Sequence, residues 1–111
     1  MQQPARNNFG LTERDMKTIF NIFQKYPEIK EVLIFGSRAK GNWKTGSDLD
    51  LAILNSAVSF KMLLALKSDF AESNLPYKID LVNLSQLKNN DLIEHIKRVG
   101  LLFYSSENIH A

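Results

Sequence analysis

Three aspartates are the residues whose type and spacing could do chemistry. Asp48 and Asp50 stand two positions apart at the start of an apolar segment, and Asp80 lies between Ile79 and Leu81 further along the chain. Side chains alternate across a β-strand, so Asp48 and Asp50 share one face if residues 48–54 form a strand. Two carboxylates about 5 Å apart repel by about 3 kcal/mol at an effective dielectric constant of about 20. Such a pair needs protonation, solvent or a bound cation to offset the repulsion.

The ligand chemistry of these aspartates points to a particular class of metal ion. Carboxylate oxygens without a neighbouring histidine or thiolate favour Mg²⁺ or Mn²⁺ over zinc. If Asp80 faces the strand that carries Asp50, all three acids lie around one site. The sequence therefore predicts Asp48, Asp50 and Asp80 as metal ligands.

A segment suited to phosphate precedes the acidic pair. Gly36 and Ser37 follow a short apolar run and predict a tight turn, where backbone N–H groups can meet phosphate oxygens. Arg38 and Lys40 add positive charge, and no acidic residue occurs between positions 36 and 47. Phosphate-binding groups beside a carboxylate cluster are what metal-assisted phosphoryl or nucleotidyl transfer requires.

The elements that must position these residues can be read from periodicity and stop signals. Hydrophobic spacing, N-cap residues and helix-breaking residues predict helices over residues 12–25, 59–73 and 91–99, and Asn90 is the predicted N-cap of the last. Short apolar runs predict strands over residues 32–35, 48–54, 78–82 and 101–104, and the last is a candidate edge strand. This order predicts an α+β fold, with a small mixed β-sheet and the helices on one face.

Composition bounds the remaining possibilities. The chain has 111 residues, a formal net charge of +2 and no cysteine, which predicts one domain over residues 11–105 without disulfides or thiolate metal sites. Residues 1–10 and 106–111 are expected to be flexible tails. No apolar stretch is long enough to cross a membrane, and no Lys/Arg run marks a nucleic-acid surface. We expect a cytoplasmic protein.

The spacing of these motifs resembles that of a known family. Gly36-Ser37, followed by Asp48-x-Asp50 and a later strand with Asp80, resembles the signature of the DNA polymerase β-type nucleotidyltransferase superfamily. The segments Gly-Ser-Arg-Ala-Lys-Gly and Ser-Asp-Leu-Asp-Leu are very similar to those of its minimal nucleotidyltransferase branch. The likeness covers residues 32–84.

The resemblance implies a fold, a cofactor and a partner. It implies a polymerase β-like palm in which Asp48, Asp50 and Asp80 hold two Mg²⁺ ions, with Mn²⁺ as a substitute. It implies nucleotide binding, of ATP above other NTPs, through the four residues Gly36, Ser37, Arg38 and Lys40. It further implies that the chain is the antitoxin of a toxin–antitoxin pair, forms a hetero-oligomer with a helical HEPN-type protein encoded nearby, and depends on that partner for activity.

Three functional hypotheses follow. In the first, the protein is an enzyme that moves a nucleoside monophosphate from an NTP to a hydroxyl of a separate macromolecule, with Asp80 as the general base. In the second, it is a nucleotide-binding module that neutralises its helical partner by contact without catalysis. Nuclease chemistry at the same metal pair is the third, although no basic track for a nucleic-acid strand is evident. The simpler interpretation of Asp48 and Asp50 alone is a solvated strand end or a helix-capping pair.

Overall fold

The computed structural model describes residues 6–54 and 58–106. Elements follow one another along the chain in the order α1 (Glu13–Gln24), β1 (Glu31–Phe35), α2 (Gly36–Lys40), β2 (Leu49–Ile53), α3 (Phe60–Ala71), β3 (Ile79–Asn83), a 3₁₀ turn (Leu84–Gln86), α4 (Asn90–Val99) and β4 (Leu101–Ser105).

The strands of the described residues form one mixed sheet in the order β3-β2-β1-β4. Strand β1 pairs antiparallel with both β2 and β4, whereas β2 and β3 run parallel. The long connection through α3 allows that parallel pairing, since a crossover between parallel strands needs a dozen or more residues. The predicted α+β class with a small mixed sheet is confirmed.

One face of the sheet carries the hydrophobic core. Alternate residues of β1 and β2, such as Val32, Ile34 and Leu51, are fully buried against α1 and α3. From the helices, Phe23 and Leu66 are likewise excluded from solvent. The opposite face therefore receives the intervening residues of each strand, and the predicted aspartates of β2 and β3 lie among these.

Local capping fixes where the helices begin. Thr12 caps α1 in a reciprocal capping box with Asp15, as its sequence spacing predicts. Ser59 accepts a hydrogen bond from the Met62 backbone N–H at the start of α3. For α4 the N-cap is Asn89 and not the predicted Asn90, because the Asn89 side chain accepts from Leu92 N.

The chain between β1 and the acidic residues differs from the predicted tight turn. Gly36 has a φ of +77°, and from it a five-residue helix, α2, runs to Lys40. Gly41, at φ +83°, ends this helix in the left-handed conformation typical of a glycine cap. Good helix formers between two glycines thus extend the turn into a short helix.

Residues 6–10 of the predicted N-terminal tail pack against the rest of the domain. Phe9 contacts the ring of Phe103 with centroids 6.0 Å apart, and Asn7 accepts hydrogen bonds from the backbone of Phe9 and Leu11. Leu11 is buried in the core. The rest of that predicted tail, residues 1–5, and residues 107–111 of the predicted C-terminal tail lie outside the described residues.

Strand β4 forms one edge of the sheet, as predicted for residues 101–104, and places Phe103 and Tyr104 in the core. Among the described residues, none of the helices has the length and apolar character needed to span a membrane.

Candidate active site

Asp50 lies at the centre of the candidate site. It is half-buried on β2, where its Cα pairs with that of Phe35 on one side and that of Asp80 on the other. Asp50 and Asp80 lie side by side on adjacent parallel strands, on the face of the sheet opposite α1 and α3. The predicted proximity of these two acids is therefore present in the structure.

Gly36 lies directly against the Asp50 carboxylate. A Cβ atom built on Gly36 would fall on the Asp50 Oδ2 atom, so no other residue type leaves room for this carboxylate. The positive φ of Gly36 also favours glycine over a residue with a side chain. The first residue of α2 and the central aspartate are consequently in direct contact.

Electrostatics set Asp50 apart from the other acids. The pKa of Asp50 is raised from 3.8 to about 6, chiefly by burial and then by the charges of Asp80 and Asp48, with a side-chain hydrogen bond to Asp80 adding to the shift. Negative charge at this position is therefore incompletely compensated by the protein. A cation bound here would remove the conflict.

Asp48 and Asp80 are exposed to solvent on either side of Asp50. Asp48 directly precedes β2, and Asp80 lies on the edge strand β3. Within residues 6–54 and 58–106, however, no three acidic, histidine or cysteine side chains are close enough to hold one metal ion together. The oxygen donors suit Mg²⁺ chemically, and Asp48 and Asp80 are the acids whose charges act on Asp50.

The four residues predicted to bind nucleotide occupy α2, but they differ in accessibility. Gly36 and Ser37 are partly buried at its first turn, beside Asp50, and Lys40 is exposed at its last residue. Arg38 is only 2% exposed, and its guanidinium donates to the backbone carbonyls of Ser47, Phe9 and Gly10. This arrangement speaks against a direct phosphate contact by Arg38.

Other residues beside the site were not singled out from the sequence for a role there. The Tyr77 ring stacks on the Arg38 guanidinium, with 4.5 Å between the ring centroid and Arg38 Cζ. Trp43 Nε1 donates a hydrogen bond to the Asn8 carbonyl oxygen at 3.2 Å. Trp43 thus covers the N-terminal segment of its own chain. Gly10 leaves no space for a side chain beneath the indole, but a single glycine in the sequence does not indicate which residue will pack against it.

The sequence profile of the family described as "Polymerase beta, Nucleotidyltransferase" matches residues 17–109. The chain belongs to this family, and its predicted enzyme class, nucleotidyltransferase, is confirmed. Within the family, it is similar to a "Probable protein adenylyltransferase MntA" of Haemophilus influenzae, with 33% identity over 98 residues that cover 87% of this chain and 85% of the relative. The resemblance to minimal nucleotidyltransferases is thereby confirmed.

Solved structures support the same fold. A crystal structure of a toxin–antitoxin with AMP-PNP superposes with a TM-score of 0.67 and 22% identity, covering 86% of this chain and 77% of that one. A tri-AMPylated Shewanella oneidensis HEPN toxin in complex with its MNT antitoxin gives a TM-score of 0.50 and 18% identity, covering 86% of this chain and 73% of that one. At these identities, the likeness establishes the polymerase β-like architecture.

Proposed function

We propose that this nucleotidyltransferase transfers AMP from ATP to a hydroxyl of a HEPN-type toxin with release of pyrophosphate, and that it acts as the antitoxin of that pair in the cytoplasm. The observation that carries the proposal is the placement of Asp50 between Gly36 and Asp80, in a chain of this family. The MntA relative is described as a protein adenylyltransferase, and a structural neighbour pairs an MNT antitoxin with an AMPylated HEPN toxin. Those descriptions support the choice of substrate and acceptor.

Asp48, Asp50 and Asp80 would hold two Mg²⁺ ions, for which Mn²⁺ could substitute. Such ions, when bound, supply charge stabilisation for the triphosphate and acidify the attacking hydroxyl. The high pKa of Asp50 supports this assignment, because burial and the charges of Asp80 and Asp48 disfavour its ionised form, which a bound cation would stabilise.

The surrounding residues would bind the nucleotide and accept the proton. Gly36 and Ser37 would contact the triphosphate from the first turn of α2, where backbone N–H groups lack helical partners. Lys40, exposed at the end of that helix, would add charge from a mobile side chain. Asp80 would take the proton of the acceptor hydroxyl, since it lies exposed on an edge strand where a macromolecule can approach.

In this proposal, the acceptor hydroxyl belongs to another protein. The described residues form one hydrophobic core between the sheet and helices α1 and α3. The Asp80 side chain lies outside this core and is exposed to solvent. A hetero-oligomer with the HEPN-type protein would bring the acceptor hydroxyl to this open edge. Activity would then depend on the partner.

The test is label transfer from ATP labelled on its α-phosphate to the HEPN-type protein encoded nearby, in the presence of Mg²⁺. The wild-type chain should label the partner, and Asp48→Asn or Asp50→Asn should reduce the labelling at least about 100-fold. Asp91→Asn, on an exposed residue at the start of α4, is the matched control and should leave labelling unchanged.

Two other outcomes would replace the proposal. Full neutralisation of the toxin by the Asp50→Asn variant, with no labelling by the wild type, would favour the contact-only binding module. Metal-dependent cleavage of nucleic acid, lost in the same variant, would favour nuclease chemistry.

A further inference from the structure

Arg38 is the largest buried charged side chain among the described residues. Its Nε and Nη2 atoms donate to the Ser47 carbonyl at 3.1 and 2.8 Å. Its Nη1 atom donates to Phe9 O at 2.9 Å and to Gly10 O at 3.4 Å. A guanidinium has five N–H donors in a fixed planar fork, so these bonds occupy nearly all of its capacity. Arg38 joins the N-terminal segment to the chain that leads into β2.

Trp43 also contacts both the N-terminal segment and Arg38. Its Nε1 atom donates to the Asn8 carbonyl, and its ring lies 5.8 Å from the Arg38 guanidinium carbon. A Cβ atom on Gly10 would lie 2.6 Å from the indole and 2.9 Å from Arg38 Nη1. We call Arg38, Trp43, Phe9 and Gly10 the clasp.

The clasp acts on the residue immediately before Asp48. Besides accepting two bonds from Arg38, Ser47 donates its backbone N–H to Lys44 O at 2.9 Å, and its Oγ atom accepts from Lys44 N at 2.8 Å. Two residues later, Leu49 N donates to Lys78 O at 2.9 Å, which starts the pairing with β3. The backbone on both sides of Asp48 is therefore fixed, although its side chain is exposed.

We propose that Arg38 is a positioning residue that sets the location of Asp48 through the Ser47 carbonyl, and that residues 6–10 complete the active site by holding Arg38 in place. This inference rests on the proposed function, because Asp48 is assigned there as a metal ligand. It gives the N-terminal segment a role in catalysis without any contact to nucleotide. It also replaces the phosphate contact predicted for Arg38.

Arg38→Lys is the first test, since lysine keeps the charge but cannot donate to three carbonyls in one plane. In the label-transfer assay, positioning predicts that kcat falls about 10- to 100-fold while KM for ATP stays within about threefold of wild type. The Mg²⁺ concentration for half-maximal rate should rise as well. A phosphate contact predicts the reverse, a KM raised at least tenfold with kcat nearly unchanged, and that result would overturn the proposal.

Gly10→Ala tests the clasp from the N-terminal side and has a matched control. Gly10 and Gly41 have similar positive φ angles, +78° and +83°, so alanine strains both backbones alike. Only at Gly10 would the added methyl group strike Trp43 and Arg38, since nothing lies within 4 Å of a Cβ on Gly41. Gly10→Ala should reproduce the kcat loss of Arg38→Lys, and Gly41→Ala should keep kcat within about threefold of wild type. Equal kcat values for the two alanine variants would refute a role for residues 6–10.

Amide hydrogen exchange separates this proposal from the proposed function, because it needs no activity. In Arg38→Lys and Gly10→Ala, amides of residues 44–49 should exchange at least about tenfold faster, while amides of α1 and α3 keep wild-type protection. Unchanged exchange over residues 44–49 would refute the clasp whether or not the wild type transfers AMP. Faster exchange in a chain that labels no partner would leave the clasp standing and remove the proposed function.

Discussion

Replacing Asp50 with asparagine should make the protein more stable while removing its activity. Asparagine has nearly the same shape as aspartate, so it fits the space beside Gly36 and can still hydrogen-bond to Asp80. It lacks the charge that Asp48 and Asp80 repel. The substitution therefore removes an electrostatic conflict without creating a cavity.

The size of the effect follows from the pKa of Asp50. A rise from 3.8 to about 6 corresponds to about 3 kcal/mol of destabilisation at neutral pH as an upper limit. Asp50 is only half-buried, and solvent screening reduces this to about 1–2 kcal/mol. For a chain of this length, the melting temperature of the variant should be about 4–10 °C higher than that of the wild type at pH 7.

The sign of the pH dependence is fixed by the direction of the shift. Between pH 3.8 and about 6, the folded protein binds more protons at Asp50 than the unfolded chain does. Wild-type stability therefore falls as the pH rises through this window, and the loss is complete above pH 6. Asparagine does not titrate, so the two proteins should have similar melting temperatures near pH 4 and diverge towards pH 7.

Thermal unfolding followed by circular dichroism, with EDTA present, measures this difference. Adding Mg²⁺ should then stabilise the wild type more than the variant, because a ligand that binds only the folded state raises its stability. Asp91→Asn serves as the control and should change stability by less than about 0.5 kcal/mol. A variant less stable than wild type at pH 7, or a difference that does not change with pH, would refute the electrostatic interpretation of Asp50.

Three further substitutions test the hydrogen bonds that fix the start of α1 and the end of β3. Thr12→Ala removes the capping box with Asp15 and should cost about 1 kcal/mol in urea denaturation without a change in m-value; no loss would mean that the box is redundant. Asn83→Ala should cost about 2–3 kcal/mol, because the buried Asn83 amide donates to Val58 O at 2.9 Å and its oxygen accepts from Ser85. Ser85→Ala, which keeps the bond to Val58, should cost less than half as much, and an equal cost would place the stabilisation in the 3₁₀ turn.

Elements with a clear period could be predicted from the sequence. Apolar residues at helical spacing, including Met16, Ile19 and Phe23, indicate α1. Thr12 indicates the N-cap at which this helix begins. The alternation around Asp80 indicates β3 in the same way. In each case the local pattern and the tertiary burial agree, which is the condition under which sequence patterns are reliable.

The environment of Arg38 could not be predicted from the sequence, because its side chain is long enough to contact several different parts of the protein. A long, flexible arginine side chain on a five-residue helix can extend to solvent or into the protein with little local preference. Its direction here is decided by the carbonyls of Phe9 and Gly10, nearly thirty residues earlier in the chain. No local pattern in residues 6–10 reports that contact.

The gathering of Asp50 and Asp80 was predictable because the core determines it. In the β2–β3 register, Leu49 pairs with Ile79 and Leu51 pairs with Leu81. Moving β3 by one residue along β2 would turn Leu81 away from the core and Asp80 into it. Burial of the leucines on the face that packs against α1 and α3 therefore enforces the approach of the two carboxylates on the opposite face, against their mutual repulsion. The energy that holds the acids together comes from the hydrophobic core, and it is available before any metal or nucleotide binds.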